Sequence, residues 1–383
     1  MSTPIANESF LSPKSKDILM KINQPIQART PVGYNREFLD AYRPNVTRYL
    51  PEAICEKLAK LGDTSWEVGD EPYVKNIYDR FVVELAWNSS RLEGNTYTVL
   101  ETERLLEQGE PGEGKSFAET QMILNHKAAI DFLIGTKSKG ITFETILQLH
   151  AMLSKNLLAD PKVCGQLRSI TVRIENSVYY PLESSEAIRK YFERIVNTVN
   201  AIDNPFEQSF FLLVHLPYLQ PFEDANKRVS RLVANIPFIC SNLSPISFAD
   251  VPHRMYINGL LAAYELNDIA LLQDVFIWAY EQSSFLYSPA CQNIETPNLY
   301  YLRFVMRYRN IIDDTISSIV KECMDKKAAV RTIKKIAIHS LPAEEQERFI
   351  EVVENKLRSL HEGNFAAYKL QHFEYLAWHE IWL

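Results

Sequence analysis

Apolar residues along this chain return mostly at the interval of an α-helix. From Asn76 onward Ile77, Phe81, Leu85 and Leu92 recur near every 3.6 residues until Gly94, which is placed as a helix stop. The stretches "FAETQMILNHKAAIDFLIG" and "TFETILQLHAMLSKNLL" predict two further helices, and "SEAIRKYFERIVNTVNAID" and "PFEQSFFLLVHLPYL" the next pair. One segment breaks the rhythm. Between Arg168 and Pro181 the residues Ile170, Val172 and Ile174 alternate with polar positions ahead of Glu-Asn-Ser, which predicts a β-hairpin. "RVSRLVANIPFICSN" is helical again, with a bend expected where Pro237 removes the hydrogen bond to the Val233 carbonyl. The expected fold class is mostly α: a helical bundle with one small β-hairpin, followed by a helical C-terminal region.

Prolines punctuate the first sixty residues, so residues 1–74 are expected to form an N-terminal arm without a core of its own. Residues 75–288 then make the main domain, and "CQNIETPN" (Cys291 to Asn298) separates it from a helical region at 289–383. No internal repeat or low-complexity tract interrupts this order.

Composition narrows the function. With 383 residues, 46% hydrophobic and 23% charged, the chain can bury a substantial core. Its net charge of −7 argues against a nucleic-acid partner. The cysteines, Cys55, Cys164, Cys240, Cys291 and Cys323, are scattered and odd in number, which fits a reducing compartment rather than a disulfide framework or a zinc site. No basic leader precedes an apolar run at the N-terminus, and no run of 18 apolar residues occurs, so a cytoplasmic protein with no membrane partner is expected. Lys326, Lys327, Arg331, Lys334 and Lys335 read as a solvated helix face. The C-terminal Phe373, Leu376, Trp378 and Trp382 read as a docking face for the core or for a second subunit, a possible homodimer.

The densest chemistry lies in "LQPFEDANKRVSRL", Leu219 to Leu232. A loop here opens a helix, whose unpaired N–H groups and positive dipole end suit a phosphate. Ala225 is small enough for an anion to approach the backbone, and Asn226 can lend an amide. Arg228 and Arg231, three residues apart on one face, offer two guanidiniums to a polyphosphate. Asp224 beside that anion suits Mg²⁺, which binds through one carboxylate plus phosphate oxygens. The alternative is a capped helix with surface ion pairs.

These residues resemble the signature of the Fic (Fido) family, H-x-F-x-[DE]-[GA]-N-[GK]-R-x-x-R, matched by Phe222, Asp224, Ala225, Asn226, Lys227, Arg228 and Arg231. "SSRLEGN" (Ser89 to Asn95) is similar to the family's inhibitory motif, [ST]-x-x-x-E-[GN], and places Ser89 and Glu93 four residues apart on a helix of about 76–94. The resemblance implies a Fic bundle that uses ATP and Mg²⁺ to modify hydroxyls of a protein substrate, mostly by adenylylation. It further implies Asp224 on the metal, residues 225–228 as the anion hole, and Glu93 pairing with Arg231 to deny that arginine to the γ-phosphate. The hairpin with Ile170, Val172 and Ile174 would be the flap that aligns the target backbone.

Two positions depart from the pattern. The family's general base is a histidine, and Gln220 stands there; a carboxamide has no useful acid–base equilibrium, which removes a contribution on the order of 10²–10⁴-fold. Lys227 occupies a position that is mostly glycine in adenylylating members and resembles the death-on-curing toxins, which transfer phosphate. His215, His126 and His150 read as core histidines rather than substitutes. Two functions follow: a slowed transferase, or a nucleotide-sensing relative that has lost chemistry.

Overall fold

The computed structural model describes residues 10–63, 71–135, 140–287, 299–362 and 364–382. The expected boundary at Cys291 to Asn298 lies outside them. In chain order the helices are α1 (Pro13–Ile22), α2 (Glu37–Asp40), α3 (Glu52–Gly62), α4 (Glu71–Arg91), α5 (Val99–Gln108), α6 (Phe117–Gly135), α7 (Phe143–Ser154), α8 (Ser185–Asn200) and α9 (Pro205–Leu219). They continue with α10 (Asn226–Val233), α11 (Ile236–Cys240), α12 (His253–Leu266), α13 (Ala270–Tyr287), α14 (Leu299–Lys321), α15 (Lys326–Ser340), α16 (Ala343–Arg358) and α17 (His372–Trp382). Two short strands, β1 (Val32–Gly33) and β2 (Tyr179–Tyr180), complete the named elements. The chain divides into two compact units, Met1–Asn95 with Phe117–Ser288 and Thr96–Ser116 with Pro289–Leu383.

The first unit is organised around α9. Asn204 caps it by accepting from the Phe206 and Glu207 N–H groups, with Pro205 at the first helical position, where a missing N–H costs nothing. Its residues are mostly apolar and buried on every face, as expected of a helix enclosed by others, with Glu207, Ser209 and His215 the buried polar ones. Helices α8, α10, α11 and α12 pack on it. Pro217 sits inside α9 and does not end it; the helix runs to Leu219. Glu207, buried on α9, accepts from Tyr42 Oη at 2.9 Å and from the Tyr49 and Leu50 N–H groups at 2.7 and 2.9 Å. That carboxylate ties the first sixty residues to the bundle, where Leu39, Leu50 and Leu58 are buried. As expected from Pro237, the helix after Arg228 breaks into α10 and α11, with Asn235 between.

The hairpin is not formed. The stretch from Arg168 to Val178 contains no strand; the turn is present, with the Ser177 N–H donating to the Ile174 carbonyl at 3.3 Å, but its two arms do not pair. Instead β2 pairs in parallel with β1, Val32 opposite Tyr179 and Gly33 opposite Tyr180. Alternation stabilises a hairpin only where one face is buried, and here Ile170 is 52% exposed while Val172 and Ile174 are half-buried.

In the second unit, α5 packs with α15 and α16. Thr98 and Glu101 form a capping box at its start. The basic residues of α15 are not simply solvated. Lys326 Nζ lies 3.0 Å from Glu103 and 2.8 Å from Glu107, Lys334 Nζ 2.6 Å from Glu101, and Arg331 Nε 2.7 Å from Glu113. On α17 the tryptophans Trp378 and Trp382 point into the core of this unit, whereas Phe373 and Leu376 are exposed. Among the described residues no helix is long and apolar enough to cross a membrane.

Candidate functional site

Residues 220–225 turn sharply between α9 and α10, and the turn is closed by its own side chains. Gln220 and Ala225 both adopt the left-handed conformation, at φ 50° and 62°. The Asn226 side chain bridges the turn: its Oδ1 accepts from the Phe222 N–H at 3.0 Å, and its Nδ2 donates to the Phe222 carbonyl and to Gln220 Oε1, each at 2.9 Å. Gln220 Nε2 donates to the Pro217 carbonyl at 2.6 Å, so both ends of that amide are engaged. Arg168, buried, donates through Nε to the Gln220 carbonyl at 2.6 Å and through Nη1 to the Ile170 carbonyl at 2.7 Å. Phe222 is stacked on His150, with ring centroids 3.9 Å apart and planes 5° from parallel.

None of the three histidines weighed from the sequence is free to act as a base. His150 Nδ1 accepts from the Gly165 N–H at 2.9 Å, and burial pushes its pKa down to about 4. His215 is buried with Nε2 2.8 Å from Tyr49 Oη, its pKa held down to about 3 by burial. His126 is likewise held down to about 3, chiefly by burial.

The opening of α10 faces two cations held by one carboxylate. Glu93 lies just past the last turn of α4, where the Gly94 N–H donates to the Arg91 carbonyl at 2.9 Å and Gly94 takes φ +87°. Its Oε1 is 2.7 Å from Arg231 Nη2 and its Oε2 is 2.9 Å from Lys227 Nζ. Burial alone would raise the Glu93 pKa, but Arg231, Lys227 and Arg228 together outweigh it and bring the carboxyl down to about 2.

Arg231 is fully buried and also donates through Nε to Ser89 Oγ at 2.9 Å, through Nη2 to the Ser89 carbonyl at 2.9 Å, and through Nη1 to Tyr256 Oη at 3.2 Å. Behind Ser89, His126 Nε2 lies 2.9 Å from its hydroxyl, and Nδ1 lies 2.8 Å from the Met122 carbonyl. The carbonyl can only accept, which assigns the proton to Nδ1. The Ser89 hydroxyl then donates to Nε2 while accepting from Arg231.

Arg228 and Arg231 share no partner. Arg228 Nη2 donates to Asp224 Oδ2 at 3.0 Å, and Nη1 donates to the Leu153 carbonyl at 3.4 Å. The structure thus gathers Gln220, Asp224, Ala225, Asn226, Lys227, Arg228, Arg231, Ser89 and Glu93 around one turn and the start of α10. Ile170, Val172 and Ile174 lie on the adjoining loop rather than in a strand. Sequence reasoning placed His126 in the core but missed its contact with Ser89, and it missed Tyr256 and the Lys227–Glu93 pair. The available signal for Tyr256 was "HRMYING", and for His126 its place in the core, in "LNHKAA".

A cation site built by the protein alone is absent: among the described residues no group of three or more His, Cys, Asp or Glu could hold a metal ion. Asp224 is a single carboxylate with its side chain 61% exposed, Arg228 on Oδ2 and the Ala225 N–H on Oδ1. Such a donor fits Mg²⁺ that brings phosphate and water ligands with it, and not a dedicated protein cage.

A Fic/DOC family profile matches residues 140–237. The chain is 25% identical over 272 residues to "Protein adenylyltransferase Fic" of Aedes aegypti, covering 67% of this chain and 52% of that protein. It is 28% identical over 169 residues to "Protein adenylyltransferase fic-1" of Caenorhabditis elegans, covering 42% of this chain and 32% of that one. The chain therefore spans about half or less of the length of these relatives. Among solved structures, Fic-1 from C. elegans superimposes with a TM-score of 0.51 at 22% identity, covering 61% of this chain and 70% of that one. A Fic family protein from Desulfovibrio desulfuricans gives a TM-score of 0.53 at 17% identity, covering 69% and 82%. These two likenesses speak for the fold. Residues 140–237 of this chain are a Fic/Doc family domain.

Proposed function

We propose that this chain is an autoinhibited, ATP-dependent Fic-type adenylyltransferase that modifies hydroxyl groups of a cytoplasmic protein target. One observation carries the reading: the Glu93 carboxylate lies between Arg231 and Lys227 at the start of α10, answering the two cations that a nucleotide phosphate would otherwise meet. A carboxylate in that seat competes directly with a polyphosphate. When Glu93 withdraws, Arg231 and Lys227 become available to the phosphate chain, with the N–H groups at the start of α10 beside them. Asp224 would hold Mg²⁺, which supplies neutralisation of charge on the phosphates. In the transfer, the target oxygen forms a bond to the α-phosphorus and the bond to the β-phosphate oxygen breaks. Pyrophosphate leaves, and the hydroxyl proton passes to solvent, because Gln220 cannot take it. Positioning and charge stabilisation supply the rate that remains. The loop bearing Ile170, Val172 and Ile174, which is in no strand of its own, would take the target backbone by β-augmentation.

A second reading, a nucleotide-sensing pseudoenzyme, is favoured by the Gln220 amide, whose two ends are committed to Pro217 and Asn226. The death-on-curing resemblance of Lys227 adds phosphate transfer as a third outcome. Incubation with Mg²⁺ and ATP labelled at the α or γ position, with lysate, separates them for wild type, Glu93→Gly and Gln220→His. Label from the α position with Glu93→Gly supports adenylylation, and label from the γ position supports phosphate transfer. Label appearing only with Gln220→His, while the wild-type site binds ATP, supports the sensor. Absence of ATP binding by Glu93→Gly in calorimetry refutes all three.

A further inference from the structure

A buried ion pair lies away from the anion seat and has no part in it. Glu265, near the end of α12, accepts from Arg29 Nη1 at 2.8 Å on Oε1 and 3.0 Å on Oε2, and the two side chains are only 3% and 10% exposed. Glu265 Oε1 also accepts from Ser177 Oγ at 2.8 Å and from the Val178 N–H at 3.2 Å. Arg29 Nη2 donates to the Asn176 carbonyl at 2.8 Å. Just beyond, the Val32 N–H donates to the Val178 carbonyl at 3.0 Å, and β1 continues alongside β2.

The contacts that Arg29, Glu265 and Val32 make with the loop that begins after Arg168 all fall on its second half, at Asn176, Ser177 and Val178. Its first half is different: Ile170 is 52% exposed, and Arg173 lies over the Tyr180 ring at 4.2 Å. The loop lacks the cross-strand pairing a hairpin would give it, so its shape depends on the groups that hold its ends: Arg168, which donates to the Ile170 carbonyl, at one, and the Arg29–Glu265 pair at the other. Buried ion pairs seldom stabilise a fold better than apolar packing would, yet they fix geometry where both partners are hydrogen-bonded. The planar Arg29 fork meets the Glu265 carboxylate with one terminal nitrogen and the Asn176 carbonyl with the other, a spread that a lysine's single nitrogen does not reproduce.

We propose that Arg29 is a positioning residue for the loop 170–178: with Glu265 it lets the N-terminal arm fix residues 176–178 and thereby limits the path that residues 170–174 offer to the target chain. The use of the loop by a target rests on the proposed function; the clamp itself does not.

The test uses the full chain with Arg29→Met, Arg29→Lys and Glu265→Gln. Trypsin cleavage after Arg173, identified by mass, should be at least tenfold faster in Arg29→Met than in wild type, and intermediate in Arg29→Lys and Glu265→Gln. Cleavage at other basic residues should stay unchanged, and ATP affinity in a Glu93→Gly background should stay within twofold, since Arg29 does not touch the seat. With the Glu93→Gly parent transferring label, Arg29→Met should raise the KM for the protein target at unchanged kcat. An unchanged rate at Arg173, acceleration at all sites alike, or a loosened loop with an unmoved target KM would overturn the proposal. Failure of the Glu93→Gly parent to transfer label counts against the proposed function, and the trypsin rates then decide the clamp by themselves.

Discussion

Replacing Glu93 with glutamine keeps the side chain's size and removes its charge, and the structure sets how much that should cost. Glu93 stands 2.7 Å from Arg231 and 2.9 Å from Lys227, with its side chain 14% exposed, so solvent screens the contacts little. A carboxyl whose pKa is about 2 in the fold against 4.5 outside it favours folding, when ionised, by about 3 kcal/mol at roughly 1.36 kcal/mol per pH unit. Breaking a buried pair by removing one partner costs about 3–5 kcal/mol in general. Arg231 keeps Ser89 and Tyr256 as acceptors, which places Glu93→Gln at the lower end.

The sign follows from the depressed pKa. Above pH 4.5 the whole contribution is present; below it the unfolded chain takes up the proton first, and the advantage is lost as pH falls toward about 2. Urea titrations of wild type and Glu93→Gln followed by far-ultraviolet circular dichroism should differ by about 3 kcal/mol at pH 7, with about 2 kcal/mol of that gone by pH 3. A gap below about 1 kcal/mol at pH 7, or one that does not close between pH 4.5 and 3, would show that the carboxylate is not held by those two cations.

Three further outcomes follow from other contacts. Lys227→Met should cost about 1 kcal/mol, because its side chain is 33% exposed, and a double-mutant cycle with Glu93→Gln should show coupling of that size; strictly additive losses would refute the pairing. His126 is kept neutral down to about pH 3, so it contributes stability present above pH 6.5 and lost below it; His126→Ala should flatten the stability profile between pH 5.5 and 4 by about 1.4 kcal/mol per pH unit, and an unchanged slope would refute a neutral His126. Gly259→Ala would set a Cβ 3.0 Å from Leu272 Cα and 3.1 Å from its nitrogen, backbone that α13 cannot yield, so a loss of about 1–3 kcal/mol is expected in the same titration; no loss would mean that α12 and α13 have room to part.

Much of the bundle was legible because its information is local. The 3.6-residue interval, the Gly94 stop and the Pro237 break are each properties of a few neighbouring residues, and the helices obey them. The Glu93–Arg231 contact was legible by a different route, through two motifs whose family resemblance ties them together. What was not legible is pairing across the chain. Lys227 and Glu93 are linked by no periodicity, and the same holds for Arg29 and Glu265. The alternation of Ile170, Val172 and Ile174 satisfies half the condition for a hairpin. The missing half is a surface to cover, and the neighbour that β2 found is an arm residue pair, Val32 and Gly33, with no strand signal of its own. The acids that meet the α15 lysines were equally unreadable, since Glu101, Glu103 and Glu107 lie on a helix far back in the chain.

The two departures from the family pattern are each held by a neighbour, Gln220 by Asn226 and Lys227 by Glu93. Gln220 Oε1 must accept from Asn226 Nδ2, because the Asn226 oxygen is already held by the Phe222 N–H. An imidazole working there as a base would pass through a cation with two donors and no acceptor, and would then face the Asn226 amide donor to donor. The Gln220 amide satisfies both neighbours at once, an acceptor for Asn226 and a donor for the Pro217 carbonyl, with no proton transfer. Lys227 likewise suits a site in which Glu93 is present, since without that carboxylate three basic side chains, Lys227, Arg228 and Arg231, would stand near one helix start with Asp224 as their remaining acid. Such an excess of positive charge is relieved only by a multiply charged anion. Lysine at 227 thus answers the second oxygen of Glu93, while glutamine at 220 answers the Asn226 amide; each departure is matched by the side chain it meets.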